Sequence, residues 1–169
     1  HTLSNILHCI GDFERISDHA RNIKEAAQEM YQKKLKFSEK AQKELEVFER
    51  AIHDILKITM LSFTEDDLSL AKQVEPLEEV IDGLNLEIKQ RHIKRLRKGK
   101  CTIELGFVLS DITTNFERVS DHCSNIAVCL LQVNEDEFDI HAYLDELKKE
   151  DNMDFAGKVM AYRERYQLP

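Results

Sequence analysis

The residues most able to do chemistry occur in a phrase of twelve residues that the chain contains twice. The first copy, residues 12–23, reads DFERISDHARNI, and the second copy, residues 115–126, reads NFERVSDHCSNI. Eight of the twelve positions are identical at a constant offset of 103 residues. Core packing alone would preserve the apolar positions, but here Glu, Arg, Ser, Asp, His and Asn repeat as well. The repeat indicates two helical units of the same design.

The acidic residues of each copy have the spacing of metal ligands. Glu14 and Asp18 are four residues apart, so both point to one side of a helix, at the margin of its apolar arc. Glu117 and Asp121 repeat the arrangement. Carboxylates that meet beside a buried stripe raise one another's pKa unless a cation lies among them. We therefore predict a metal site formed by all four acids, if the two helices lie side by side.

Supporting roles are predicted for the other repeated polar residues, which are His19, His122, Arg15, Arg118, Asn22 and Asn125. The histidines lie about 100° around the helix from the aspartates, so they either ligate a metal on an adjoining face or bond a neighbouring helix. The arginines either hold the acids in place or form ion pairs between helices. The asparagines lie one turn beyond the aspartates and are expected to orient them by a hydrogen bond.

Two features of this prediction stay open. Carboxylate oxygens favour Mg, Ca, Mn or Fe, whereas added histidine ligands would favour Zn, Ni or Fe. The acids also have a plain alternative, because charged residues at the edge of a helix stripe routinely form salt bridges. We interpret a further pair with the same spacing, Glu78 and Asp82, as such a solvated face.

The elements that must position these residues are helices, because the apolar spacing is helical along almost the whole chain. The pattern predicts four long helices and two short ones, at about 3–31, 39–63, 65–98, 102–133, 140–149 and 154–166. Ser38 and Thr64 are candidate N-caps, Gly99 is a candidate C-cap, and Pro76 should kink or split the third helix. Short loops make neighbouring helices antiparallel, so the predicted fold is an all-α antiparallel bundle with a short helical C-terminal tail.

Composition excludes several other classes of protein. The chain has 169 residues, of which 42% are hydrophobic and 33% charged, with only 5 Gly and 2 Pro, and this is atypical of disordered chains and β sandwiches. The net charge of -8 argues against a nucleic-acid partner, although a local basic patch is compatible with it. The 4 Cys match no zinc or disulfide framework, so we expect free thiols in a reducing cytoplasm.

The repeated ERxSDHxxNI phrase resembles the signature of the PhoU family. In that family each half of a six-helix molecule is a three-helix bundle, and an (E/D)xxxD motif on its third helix binds metal ions or multinuclear metal clusters. The resemblance implies that the motif falls on Glu14 and Asp18 and again on Glu117 and Asp121. Ser17 and Ser120 stand where Gly is frequent in the family.

Further stretches are similar to one subgroup, the PhoU-like cytoplasmic C-terminal domain of bacterial sodium/phosphate cotransporter family proteins. They are residues 91–96, 121–128, 138–144 and 162–166. This resemblance implies an attached transmembrane transporter domain as partner, and a location at the cytoplasmic face of the membrane. It also implies a regulatory role without catalysis.

The family places two helices before its first motif helix, and here they are absent. The chain also opens without Met, inside an apolar pattern. We therefore expect a fragment in which residues 1–133 form a PhoU-like bundle that lacks the first two family helices. Residues 134–169 would form a helical tail that packs on it. The uncovered face of the first helix predicts a homodimer.

The function predicted from these observations is that of a metal-binding regulatory domain that modulates sodium-dependent phosphate transport. Its metal would be a divalent or iron-type ion, drawn from Fe, Zn, Mn, Mg, Ni and Ca. A carboxylate-bridged metalloenzyme is disfavoured, because such bundles use Glu-x-x-His repeats, and no Gly-rich phosphate loop occurs. The alternative is a structural or adaptor bundle that mediates protein contacts without metal.

Overall fold

The architecture was taken from a computed structural model, which describes residues 2–134, 139–149 and 152–169. Within these ranges the chain forms six helices and no strand, which confirms the all-α prediction of four long helices and a short helical tail. The helices are α1 (Thr2–Gln32), α2 (Glu39–Glu65), α3 (Leu68–Arg97), α4 (Ile103–Asn134), α5 (Ile140–Leu147) and α6 (Met153–Arg165).

The helix ends agree with the sequence at α2 and differ at α3. Ser38 caps α2, since its hydroxyl accepts a hydrogen bond from the backbone N–H of Ala41. Thr64 was predicted to cap α3 but lies inside α2, so that prediction is wrong. The α2 helix ends where Asp66 adopts a left-handed conformation, and Asp67 then caps α3 with a carboxylate that suits the positive end of the helix dipole.

Pro76 does not split α3, which runs as one assigned helix through this position. Proline removes a backbone hydrogen bond from a helix interior. Here the neighbouring apolar side chains hold the helix, because Val74 and Leu77 are fully buried on either side of it. At the other end, Gly99 follows the helix with a positive φ of 64°, a conformation that glycine adopts without strain, in keeping with its prediction as a C-cap.

The core lies among α2, α3 and α4, which all pack against one another. Its largest fully buried side chains include Phe48, Ile55, Leu77, Ile81, Ile88, Leu109, Ile126 and Leu131. Burying each of these stabilises the fold by roughly 1.5–3 kcal/mol. The first helix, α1, packs chiefly along α4, outside this three-helix core.

A disulfide between Cys9 and Cys129 links α1 to α4, with 6.7 Å between the two Cα atoms. The expectation that all cysteines are free thiols is therefore wrong for this pair. Residues 120 positions apart in sequence become neighbours only because α1 and α4 lie side by side. Cys101 and Cys123 are free.

The tail returns to the bundle through α6, which packs against α3. Val159, Tyr166 and Leu168 join the core, and the hydroxyl of Tyr166 donates a hydrogen bond to Asp54 of α2. No helix in the described ranges combines the length and apolarity that crossing a membrane requires.

Candidate metal centre

Carboxylates from two helices converge where α3 packs on α4. Glu78 and Asp82 lie one turn apart on α3, and Glu117 and Asp121 lie one turn apart on α4. One oxygen from each of Glu78, Asp82 and Asp121 lies within 4.8 Å of the others. In the part of the chain that the structure describes, no other three acidic, histidine or cysteine residues meet in this way.

Burial and the negative charge of this cluster affect the pKa of Glu78. Burial raises the pKa of Glu78 to about 9, and the neighbouring charges of Asp82 and Glu75 add to the shift. A hydrogen bond between Glu78 and Asp82 accompanies it. Near neutral pH, the protein without a cation therefore keeps a proton on Glu78, and this proton relieves part of the repulsion among the acids.

The pKa values of the other two acids in the cluster, Asp82 and Asp121, are also raised. Burial raises the pKa of Asp82, the hydrogen bond from Glu78 opposes the shift, and the charges of Asp121 and Glu117 add to it. Burial also raises the pKa of Asp121, with a further rise from Glu117 and partial relief from the positive charge of Arg118. The acids are thus crowded enough that each disfavours the ionised form of its neighbours.

A buried amide adjoins this cluster. The Nδ2 of Asn85 donates a 2.6 Å hydrogen bond to Oε2 of Glu117 and so fixes that carboxylate on the side of α3. The Oδ1 of the same amide is buried and accepts no hydrogen bond from the described residues. A buried oxygen without a donor is a costly feature of a fold, and a cation is one species that would satisfy it.

These donors fit a hard cation. The three converging groups are all carboxylates, and the raised pKa of Glu78 shows that this place favours an added positive charge, which a proton or a cation supplies. A cation that binds here would displace the proton and replace mutual repulsion by attraction to a common centre. Glu78, Asp82 and Asp121 would hold it, with Glu117 adjoining.

The acids of the first repeat copy are placed differently. Glu14 and Asp18 are exposed on α1, and the nearest cation to Asp18 is Arg21 on the same helix, at 3.5 Å. The structure brings Asp121 together with the α3 pair, and the charge of Glu117 acts on Asp82, whereas Glu14 and Asp18 do not join this cluster. The interpretation of Glu78 and Asp82 as a solvated face holds for Asp82, which is exposed, but not for Glu78, which is half-buried near acids of α3 and α4.

The remaining repeated polar residues join α1 to α4 through a reciprocal set of hydrogen bonds. Oδ1 of Asp12 lies 2.8 Å from Nδ1 of His122 and 3.2 Å from Nδ2 of Asn125. At the position offset by 103 residues, Oδ1 of Asn115 lies 2.9 Å from Nδ1 of His19 and 3.1 Å from Nδ2 of Asn22. The carboxylate oxygen of Asp12 and the amide oxygen of Asn115 carry no hydrogen, so Nδ1 of each imidazole ring donates the hydrogen bond.

The two imidazole rings complete this interface. His19 and His122 stack with ring centroids 5.4 Å apart. Of the two roles considered for the histidines, the structure supports bonding to a neighbouring helix. Asn22 and Asn125 were predicted to orient the aspartates of their own copies, but they bond the opposite helix instead. The reason is that α1 and α4 pack with their repeats face to face.

The arginines of the repeat make no such contact. Arg15 and Arg118 are exposed, and neither lies within 4.0 Å of a carboxylate in the described ranges. Arg118 acts at longer range, because its positive charge partly opposes the rise in the pKa of Asp121. The interhelical ion pairs considered for these arginines are absent from the described part of the chain.

Sequence reasoning missed the α3 half of the cluster and the amide of Asn85. A usable signal existed, because Glu78 and Asp82 repeat the four-residue spacing of the two motif pairs. They also adjoin in sequence the apolar residues Leu77 and Ile81, which belong to the core in the structure.

Comparison with known proteins concerns the segment from α2 to α4. The model of the PhoU domain matches residues 46–130, half of the chain, which covers most of α2, all of α3 and most of α4. The chain belongs to the PhoU family. The matched segment contains the whole carboxylate cluster, whereas α1 lies outside it.

A curated relative of this PhoU-family chain is the phosphate-specific transport system accessory protein PhoU homolog 1 of Thermotoga maritima. The two are 31% identical over 121 residues, which is 72% of this chain and 51% of the relative. The chain thus spans about half the length of that relative. No solved structure gave a significant match.

Proposed function

We propose that this PhoU-family chain is a metal-binding regulatory domain that modulates phosphate transport. The observation that carries the proposal is the convergence of Glu78, Asp82 and Asp121, whose oxygens approach within 4.8 Å between two helices. The family assignment and the phosphate transport role in the relative's name support the biological setting. The domain is proposed to act by binding and not by catalysis.

The ligand set favours hard ions. Carboxylates alone supply the converging donors, so Mg, Ca, Mn and Fe fit better than Zn or Ni, which prefer nitrogen or sulfur ligands. His122 follows Asp121 in sequence but is engaged with Asp12 of α1. The proposed site therefore uses oxygen donors, and its occupancy competes with protonation of Glu78.

The proposed regulation follows from where the site lies. A bound cation would draw α3 and α4 together, whereas the metal-free acids repel, so metal occupancy would shift the balance between two spacings of these helices. A partner that contacts either helix would respond to that balance. We propose that the partner is an attached sodium-dependent phosphate transporter at the cytoplasmic face of the membrane.

Metal content tests the site directly. The protein should be purified without a nickel column and its metals measured by mass spectrometry, beside the variant Asp82→Asn/Asp121→Asn. The matched control is Glu14→Gln/Asp18→Asn, which removes a motif pair from the exposed face of α1. Stoichiometric metal in the parent and the control, and its loss from the α3–α4 variant, is the expected result. Equal retention in all three would place the metal elsewhere and contradict the proposal.

Absence of metal after incubation with Fe, Mn, Mg and Ca would favour the second function, an adaptor bundle that works through protein contacts alone. The transport role has its own test, which is phosphate uptake by membrane vesicles that contain the full-length protein. Asp82→Asn/Asp121→Asn should change the uptake rate relative to Glu14→Gln/Asp18→Asn. Equal rates would refute regulation through this site.

A homodimer is also proposed for the chain as it stands. Leu3, Leu7 and Ile10 of α1 are 72%, 59% and 48% exposed, and together they form an apolar face that a second copy would cover. Light scattering should give twice the monomer mass for the parent and the monomer mass for Leu7→Glu. A monomeric parent would disprove the dimer.

A further inference from the structure

Two loops at one end of the bundle, together with the helix ends that adjoin them, carry a high density of positive charge. Residues 33–43 and 94–100 contain ten Lys and Arg against the single acid Glu39, although the chain as a whole has a net charge of -8. The loops meet in space, because Lys36, Arg95 and Lys100 line one cavity of about 250 Å³. We call these two stretches the basic end.

Most of this charge is not neutralised by the residues that the structure describes. Three of the ten cations have carboxylate partners: Lys33 with Glu29 and Glu104, Lys43 with Glu39, and Arg95 with Glu44. The others are exposed and make no ion pair of 4.0 Å or less with the described residues; they are Lys34, Lys36, Lys40, Lys94, Arg97, Lys98 and Lys100. Seven unpaired cations in an acidic protein form a surface that attracts an anionic partner.

Large apolar side chains border the basic end. Tyr31 near the end of α1 is 87% exposed, and Ile103 and Phe107 at the start of α4 are 66% and 71% exposed. These helix ends lie together, since Nζ of Lys33 is 3.0 Å from Oε1 of Glu104. The exposed aromatic and aliphatic groups are therefore next to the unpaired cations.

The opposite end of the bundle has the opposite charge. Glu65 at the end of α2, with Asp66 and Asp67 in the loop to α3, lies at the far ends of these helices from the basic end. A helix of about 30 residues is about 45 Å long, and charges separated by more than about 8 Å are largely screened at physiological salt. The acidic end would therefore not repel a surface that the basic end touches.

We propose that the basic end is a docking surface for a bilayer that contains anionic lipids. Clustered Lys and Arg bind anionic headgroups, and neighbouring Tyr, Phe and Ile side chains enter the boundary between headgroups and acyl chains. This combination, at one end of an otherwise acidic domain, fits a membrane surface better than a long polyanion that would run past the acidic flanks. The proposal does not depend on metal binding.

Vesicle sedimentation tests the proposal with the full chain in EDTA, so that metal occupancy plays no part. The parent should sediment with vesicles of phosphatidylcholine and phosphatidylglycerol, should not sediment with phosphatidylcholine alone, and should be released by high salt. Lys36→Glu/Lys98→Glu/Lys100→Glu should weaken binding by about 100-fold or more, because each basic residue near an anionic surface contributes about 1 kcal/mol.

The matched control places the same charge change elsewhere. Lys57→Glu/Lys72→Glu/Lys148→Glu alters three exposed lysines outside the basic end and should keep most of the vesicle binding. A second variant, Ile103→Ser/Phe107→Ser, leaves the charge unchanged and should weaken binding by about 10-fold, the effect of losing buried apolar surface. Circular dichroism would confirm that each variant keeps its helices.

Three results would overturn the proposal. One is equal binding to neutral and anionic vesicles, and another is an equal loss in the two triple-lysine variants. The third is no vesicle binding by the parent, with inorganic phosphate or an oligonucleotide binding at Lys36 and Lys100 instead. None of these results bears on the carboxylate cluster, so the two proposals fail separately.

Discussion

The two copies of the repeated phrase end in different surroundings. In α4, Ser120, Cys123 and Ile126 are fully buried. At the equivalent positions of α1, Ser17 and Ala20 are exposed and Ile23 is half-buried. The same positions of the repeat are thus more deeply buried in α4 than in α1, although Phe13 of α1 also contacts Phe63 of α2.

The same contrast decides what the acids of the two copies do. Glu117 and Asp121 face the Glu78 and Asp82 pair of α3, and burial with mutual repulsion raises the pKa of Asp121. Among the described residues, the only ion pair of Asp18 is with Arg21 of its own helix. A four-residue spacing of acids therefore becomes a candidate metal site only where a second helix brings facing acids to it.

The largest expected difference between the copies is in core packing. Ile126→Ala should lower the free energy of unfolding by about 3–4 kcal/mol, because Ile126 is fully buried and its loss leaves a cavity. Ile23→Ala, the matched change in α1, should cost about 1–2 kcal/mol, because its site is already partly solvated. Urea unfolding of the two variants checks this, and equal losses would show that α1 is covered in solution.

The next effect concerns the pH dependence of the metal-free protein. The pKa of Glu78 is raised from 4.5 to about 9, so the folded state holds a proton that the unfolded state releases, and stability falls as pH rises between these values. Glu78→Gln should remove this fall and stabilise the protein near pH 8 by about 1–2 kcal/mol after allowance for solvent screening.

Urea midpoints in EDTA near pH 5 and near pH 8 measure this effect. The matched control is Glu49→Gln, which removes an exposed glutamate of α2. An unchanged pH slope in Glu78→Gln, or the same change in the control, would show that the carboxylates of α3 and α4 are not crowded in solution.

The reciprocal interface offers a smaller contrast. His122 bonds the carboxylate of Asp12 and His19 bonds the amide of Asn115, and a hydrogen bond to a charged group is the stronger. His122→Ala should therefore cost about 2 kcal/mol and His19→Ala about 1 kcal/mol. Thermal or urea unfolding measures both. In an Asp12→Asn background the two costs should become alike, and a persistent difference would refute this explanation.

The smallest effect is expected at the exposed acid pair. Asp18→Asn should change the free energy of unfolding by less than about 0.5 kcal/mol, since a surface ion pair such as Asp18–Arg21 contributes little. Asp121→Asn in the metal-free protein should instead be stabilising, because it relieves repulsion in the cluster. Urea unfolding in EDTA compares them, and a large loss in Asp18→Asn would reveal a partner for α1.

Much of the fold was predictable, because helix periodicity is a local property. The four long helices begin and end close to the predicted positions, and Ser38 caps α2 as expected. The predictions differ from the structure where neighbouring residues compete to cap or to continue a helix, because the apolar pattern does not show which residue prevails. Asp67 replaces Thr64 as the cap of α3. Of the two outcomes expected at Pro76, a kink or a split, the split does not occur, and buried contacts around Pro76 keep α3 in one piece.

Half of the candidate site was also predictable. Glu117 and Asp121 stand out because their spacing and their repetition are visible in the chain. Glu78 and Asp82 have the same spacing but no repeated context, so nothing local separates them from a solvated pair. The Cys9–Cys129 link was invisible for a related reason, since its partners lie 120 residues apart.

The sequence by itself determined that this chain is helical, that it contains one design twice, and which face of each helix is apolar, because these features depend on residues within a few turns. Only the tertiary structure decided which acids meet. The packing of α3 on α4 placed Glu78 and Asp82 against Asp121, and the packing of α1 on α4 turned the repeated histidines and asparagines into an interface. Distances between separate helices depend on how their faces dock, and no local spacing encodes that choice.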